Sequence, residues 1–157
     1  MAATDFSVKL VVEQTPKEVF DAVSDVRGWW TENMEGSSQK LNDEFEVRFG
    51  DVHYSRHKLA EIVPYRRIVW LVTDSRLSFV KEKDEWTNTK VNFEITSQGE
   101  KTQLVFTHIG LSSGIECYDA CSNAWGGYIT KSLYELITKG KGRPDPKAVK
   151  SEVPSKV

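Results

Sequence analysis

The chain has 157 residues, a length that suits a single domain. Its net charge of −2 provides no field to attract nucleic acid or an anionic membrane, so both are excluded as partners. No positively charged start leads into an apolar run, and no apolar run could cross a bilayer, so we expect neither a secretory signal nor integral membrane association. Cys117 and Cys121 favour reduced thiols in a cytoplasmic protein over a disulfide framework.

The N-terminal part of the chain predicts a strand followed by two short helices. Residues 5–13 alternate as a strand. Thr15 suits the N-cap, Pro16 the first helical position and Glu18 a capping box, so a helix begins here. We expect a second short helical turn near residues 25–30.

The middle of the chain predicts an antiparallel meander. Phe45, Val47 and Phe49 alternate with charged residues, which is typical of a half-buried strand. Residues 78–86 fit either an edge strand or a loop, and residues 98–100 a hairpin turn. The further predicted strands cover residues 52–63, 66–74, 90–96 and 102–109.

The last predicted element is a long helix over residues 114–139. Its apolar stripe, at spacings of three and four, comprises Cys117, Cys121, Trp125, Ile129, Leu133 and Leu136 or Ile137. Gly140 is a natural C-terminal cap, and the proline-containing segment 144–157 is expected to be a mobile tail. A curved sheet has one face to cover, and this helix can cover it; a cavity remains between the two layers if they do not touch everywhere.

Motifs along residues 5–144 resemble one family, the homologues of the activator of Hsp-ninety ATPase, within the START-like (SRPBCC) helix-grip superfamily. The likeness rests on the order and spacing of TPKEVFDAVSD, WW, EFEVRFGDVH, EIVPYRRIVW, EWTNTKVNFEI, TQLVFTHIGL and AWGGYITKSLYELITKGKGRP. It implies an α+β helix-grip domain over residues 1–143, in which an antiparallel sheet of six to seven strands wraps the C-terminal helix around a hydrophobic lumen.

Members of that superfamily bind lipids, sterols, polyketides or plant hormones, and some are enzymes. The namesake co-chaperone carries a separate N-terminal domain, for which we expect no room in 157 residues. Its co-chaperone activity is therefore not transferred by default.

The candidate ligand-binding residues are the inward-facing positions of the predicted sheet and helix, together with the tryptophan pair after the first helix. His108 and the tyrosine hydroxyls would orient a ligand. Trp86 fits either lumen wall or outer sheet, and Trp70 has the better case as wall. The full set is Trp29, Trp30, Phe45, Val47, Trp70, Phe93, Phe106, His108, Tyr118, Cys121, Trp125, Tyr128 and Ile129.

His108 is the one weak candidate for catalysis, because an inward imidazole can act as a base. No carboxylate is placed beside it by spacing, so we favour a structural histidine that ties its strand to the turn at Gly110 or to the helix. Gly126 and Gly127 inside the helix either permit close packing, which we favour, or open space for a ligand.

The sequence favours no metal site. Cys117 and Cys121 share a helix face but lack the spacing of a zinc motif, so we interpret them as wall residues. His53 and His57 lie roughly 13 Å apart along a strand, too far to chelate one ion, and are interpreted as surface or sheet residues.

Three functions remain open. The first is a carrier or sensor of a hydrophobic or amphipathic small molecule, with no cofactor and no catalysis. The second is a protein-binding module of the co-chaperone kind, and the third a cyclase or hydrolase with His108 as base. A monomer or weak dimer is expected. No nucleotide-binding, hydrolase or zinc-protease motif is present in the sequence.

Overall fold

The computed structural model describes residues 5–50, 53–78, 80–81, 85–112 and 118–145. Within them, seven strands form one open antiparallel sheet in the order β1-β7-β6-β5-β4-β3-β2. The strands are β1 (Asp5–Val12), β2 (Met34–Gly36), β3 (Glu44–Phe49), β4 (His53–Val63), β5 (Arg67–Leu77), β6 (Lys90–Gln98) and β7 (Lys101–Ser112). The predicted α+β class and strand number are confirmed.

The predicted strands agree with the sheet to within a few residues. The hairpin turn predicted at residues 98–100 joins β6 to β7, with Gly99 in the left-handed region. Strand β2 was not predicted because three residues are too few to display an alternation. The ambiguous segment 78–86 contains no strand in its described part, and residues 79 and 82–84 lie outside the described ranges.

Two short helices follow β1, as predicted. In α1 (Pro16–Ser24), the Glu18 N–H donates to Thr15 Oγ1 at 3.2 Å, and the Thr15 N–H donates to Glu18 Oε1 at 2.9 Å. This confirms the capping box. The single turn of α2 (Val26–Trp29) directs the adjacent rings of Trp29 and Trp30 into the core, where both are buried.

The C-terminal helix consists of α3 (Tyr118–Gly127), a π-helical segment (Tyr128–Leu133) and α4 (Tyr134–Lys139). Its buried side chains recur every four residues, at Cys121, Trp125, Ile129, Leu133 and Ile137. A four-residue repeat drifts around an ordinary α-helix of 3.6 residues per turn. The wider i→i+5 winding of the π segment corrects this drift and keeps the stripe facing the sheet.

The boundaries of this helix agree with the prediction where the structure describes them. Gly140 has φ 82° and caps α4, as expected. Predicted helix residues 114–117, including Cys117, lie outside the described ranges. The interpretation of Gly126 and Gly127 as a close-packing site was wrong, because a Cβ atom at either position would meet no neighbouring atom within 4 Å.

The segment after α4 fixes the tryptophan pair. Ser132 Oγ donates to the Trp29 carbonyl at 2.6 Å and accepts from the Arg143 N–H at 2.7 Å. The Asp145 N–H donates to the Trp30 carbonyl at 2.9 Å. The first residues of the predicted tail therefore pack on the domain, and residues 146–157 lie outside the described ranges.

Candidate functional site

All five tryptophans of the chain meet in one aromatic cluster between the sheet and the C-terminal helix. The centroid of the Trp30 ring lies 5.7 Å from the ring centroid of Trp70 and 4.7 Å from that of Trp125, and all ring distances below are between centroids. Trp86 stacks on the other side of Trp125 at 5.8 Å, and Trp29 packs at 6.2 Å from Trp30. Because all five rings point inward and indoles are the largest side chains, they fill the centre of the predicted lumen.

A cavity of about 210 Å³ remains at one end of this cluster, beneath α3. Ala120 and Ala124 are exposed and form its mouth on the helix side. Among the described residues, the wall contains no Asp, Glu, Lys or Arg. Its lining residues are Trp30, Phe49, His53, Trp86, Ala120, Cys121, Ala124, Trp125 and Tyr128.

Four of the candidate ligand-binding residues line this pocket: Trp30, Cys121, Trp125 and Tyr128. The others do not border it. Tyr118 is half-buried at the start of α3 and packs against the core. The remaining candidates are buried in the core around the pocket, namely Trp29, Phe45, Val47, Trp70, Phe93, Phe106, His108 and Ile129.

Sequence reasoning missed His53 and Phe49 as pocket residues and left Trp86 open between lumen wall and outer sheet; Trp86 lines the pocket. The sequence did carry a signal for His53, because antiparallel neighbours share a face. Phe49 pairs with His53, and Phe45 pairs with His57, so an inward β3 places both histidines inward. They are sheet residues, as expected, but neither points to the surface. Trp86 lies outside the strands, where alternation gives no orientation.

His108 is locked in place by both ring nitrogens. Its Nδ1 accepts from Trp125 Nε1–H at 3.0 Å, which leaves the proton on Nε2. The protonated Nε2 donates to Thr89 Oγ1, with 2.8 Å between the two atoms, and Thr89 Oγ1 in turn donates to the Trp86 carbonyl at 2.6 Å. Burial and the neighbouring His53 lower the pKa of His108 to about 3, so the ring is neutral. Of the two ties considered for His108, the hydrogen bond from Trp125 is the one to the helix.

A second polar chain runs along β4 from the pocket into the core. His53 Nε2 lies 2.9 Å from Ser55 Oγ, which lies 2.8 Å from His57 Nε2. Burial lowers the pKa of His53 to about 3 and holds that of His57 well below its ordinary value, so both rings are neutral at physiological pH. His57 Nδ1 is buried without a hydrogen-bond partner.

The described ranges bring no three His, Cys, Asp or Glu side chains into a cluster able to bind a metal ion. In the part of the chain that the structure describes, no helix has the length and apolarity needed to span a membrane.

An antiparallel sheet that holds a C-terminal helix over an apolar pocket defines the START-like helix-grip class. Within that class, the chain belongs to the family described as activator of Hsp90 ATPase homolog 1-like protein, which matches residues 13–138. The resemblance inferred from the sequence motifs is confirmed. No protein with a curated description matches the chain.

Several solved structures share the fold. The Aha1 dimer from Colwellia psychrerythraea aligns with a TM-score of 0.70 at 18% identity, covering 88% of this chain and 99% of that one. Protein SSP2350 from Staphylococcus saprophyticus gives 0.66 at 13%, covering 91% and 98%. DynU16, from the dynemicin biosynthetic locus, gives 0.63 at 18%; 92% of this chain spans 52% of DynU16. At such identities the likeness establishes the fold alone.

Proposed function

We propose that this protein binds a small, predominantly apolar molecule in the pocket beneath α3. The observation that carries the proposal is the cavity of about 210 Å³, walled by aromatic rings and small side chains and reached past Ala120 and Ala124. Concave apolar sites with a few polar groups are the usual form of small-molecule sites.

The size of the cavity limits the ligand. Sites for drug-sized molecules usually have volumes of about 300–1,000 Å³. A cavity of about 210 Å³ therefore suits a molecule smaller than a sterol or a long-chain lipid. Burial raises the pKa of Tyr128 to about 12, so its hydroxyl stays neutral, and none of the described lining residues carries a charge at physiological pH.

No specific observation favours either alternative, the enzyme with His108 as base or the co-chaperone-like protein-binding module. Both ring nitrogens of His108 are hydrogen-bonded within the core, which leaves none for proton transfer with a substrate. Apart from Val63 and Tyr65, which are neighbours at the β4–β5 turn, the large apolar side chains exposed on the described surface belong to separate segments, as single exposed residues commonly do. The exposed residues are Val11, Leu41, Val63, Tyr65, Ile109 and Tyr134.

The proposal is tested with indane, an apolar bicyclic probe, titrated into the protein while tryptophan fluorescence is recorded. Trp30, Trp86 and Trp125 line the pocket and report on its occupancy. We expect a saturable change in the wild type. Ala124→Leu places a larger side chain in the mouth and abolishes the change, because the extra carbons occupy the entrance.

Asn123→Leu is the matched control, since it adds a leucine at the neighbouring exposed position outside the pocket wall. It should retain binding. Saturation that persists unchanged in Ala124→Leu would place the probe elsewhere and refute the proposed site. If Ala124→Leu abolishes binding and Asn123→Leu retains it, native mass spectrometry of protein purified from its own source would identify the natural ligand.

A further inference from the structure

The polar chain along β4 ends in the pocket wall, and its inner end is unsatisfied. His53 lines the pocket and uses Nε2 to contact Ser55, while its Nδ1 makes no hydrogen bond among the described residues. At the other end, His57 Nε2 contacts the same hydroxyl, and His57 Nδ1 is buried without a partner. Ser55 is fully buried, so both histidines compete for a single hydroxyl proton.

Two arrangements of the neutral chain use the Ser55 proton between the two rings; a third, in which both rings donate to Ser55, would leave the buried hydroxyl proton without an acceptor. In one, His53 Nε2–H donates to Ser55, Ser55 donates to His57, and the His57 proton sits on the buried, unpartnered Nδ1. In the other, His57 donates to Ser55, Ser55 donates to His53, and the His53 proton sits on Nδ1 in the pocket wall. The first buries an orphan N–H group, and the second buries only an orphan lone pair.

The second arrangement is favoured, because orphan N–H groups are the rarer kind of unsatisfied atom in folded proteins. Among the described residues, no acceptor lies near His57 Nδ1 that could pair with the N–H group of the first arrangement. The His57 ring stacks on Phe45 at 4.9 Å and meets Trp30 and Trp70 edge-on at 5.4 Å and 5.3 Å. The chain from His57 through Ser55 therefore fixes His53 as a hydrogen-bond donor toward the pocket.

Resting on the proposed function, we infer that the ligand is a neutral aromatic molecule of about two rings whose oxygen acceptor, such as a ketone carbonyl, binds His53 Nδ1–H. The size follows from the cavity: one of about 150 Å³ holds benzene, and this one has about 210 Å³. The neutrality follows from the described wall, since a carboxylate would be desolvated there with no cation among the described lining residues.

Trp86, which neighbours His53 in the wall, does not offer its own N–H group to a ligand. Trp86 Nε1 is buried and has no hydrogen-bond partner, while its ring meets His53 edge-on at 4.6 Å. Trp86 Nε1 has no surface exposed to the pocket, so the donor that a ligand can reach is His53 Nδ1–H. A hydrocarbon would leave that donor unsatisfied, and an oxygen atom beside it would pair with it.

The test compares 1-indanone with indane, which have the same bicyclic skeleton and differ by the carbonyl oxygen. We expect 1-indanone to bind on the order of fivefold more tightly, the usual effect of one neutral hydrogen bond. Its carbonyl stretch should move to lower frequency on binding. His53→Phe keeps an aromatic ring but removes the donor, so the preference and the frequency shift should both disappear.

Tyr128→Phe is the matched control, because it removes a different polar group, a hydroxyl, from the wall while keeping the ring, and it should keep the preference. The His53 tautomer is measured independently by 15N NMR of the unliganded wild type, which we expect to place its proton on Nδ1. This measurement applies even if His53→Phe does not fold.

The outcomes separate the two proposals. Binding of indane without a preference for 1-indanone, or a His53 proton found on Nε2, overturns this inference and leaves the pocket proposal intact. Failure of both probes to bind overturns the pocket proposal, and this inference with it.

Discussion

Trp86 and Trp125 are two buried tryptophans that differ in the hydrogen bonding of their indole N–H groups. Their rings stack nearly parallel, 11° apart at 5.8 Å. Trp125 donates to His108 Nδ1 at 3.0 Å, whereas Trp86 Nε1 has no partner. A buried donor without an acceptor has already lost its hydration, so removing that N–H group costs no hydrogen bond.

We therefore expect Trp125→Phe to lower the free energy of unfolding by about 1–3 kcal/mol more than Trp86→Phe, since only the first leaves His108 Nδ1 unsatisfied. Both substitutions remove the same atoms from positions that are almost fully buried, so the cavity contributions are similar. Urea unfolding of the two variants measures the difference. Equal losses would mean that the Trp125–His108 hydrogen bond does not stabilise the fold.

At the scale of the element, the C-terminal helix combines a tightly packed inner face with an unfilled outer edge. Gly127 has ordinary helical angles, φ −65° and ψ −46°, and a Cβ atom there or at Gly126 would meet no neighbour within 4 Å. Glycine loses more backbone entropy on folding than alanine does. The two glycines thus weaken the helix without improving its packing.

Gly126→Ala and Gly127→Ala are each expected to raise the free energy of unfolding by about 0.5–1 kcal/mol. Gly140→Ala is the opposing control: at φ 82° an alanine side chain is strained, and stability should fall by about 1 kcal/mol. Thermal and urea unfolding would test all three variants. A loss of stability at position 126 or 127 would reveal a need for glycine there that the packing does not explain.

The sequence predicted elements better than it predicted the pocket, for a physical reason. Alternation in Phe45, Val47 and Phe49 depends on one strand alone, and that prediction was confirmed. Whether an inward ring borders a hollow or another ring depends on several elements at once. Five tryptophans filled most of the space that the resemblance assigned to a lumen, and the pocket that remains among the described residues lies at the end near His53.

At the scale of the whole molecule, all three histidines of the chain lie on the inner side of the sheet as neutral rings. Burial lowers the pKa values of His53 and His108 to about 3 and holds that of His57 well below normal. In the unfolded chain each imidazole has a pKa of about 6.5. Below that pH the unfolded state binds more protons than the folded state, so acid favours unfolding.

Stability should therefore be fully present above about pH 6.5 and fall as the pH drops toward about 3, by up to about 1.4 kcal/mol per pH unit for each histidine. Exposed carboxylates such as Asp43, whose pKa is lowered chiefly by a hydrogen bond from Ser37, act in a more acidic range. Urea unfolding at several pH values between 7 and 4.5 measures the slope, and His53→Phe should reduce it by about one third. A free energy of unfolding that stays constant over this range would show that the histidines titrate in the folded protein, which is incompatible with three neutral rings buried beneath the C-terminal helix.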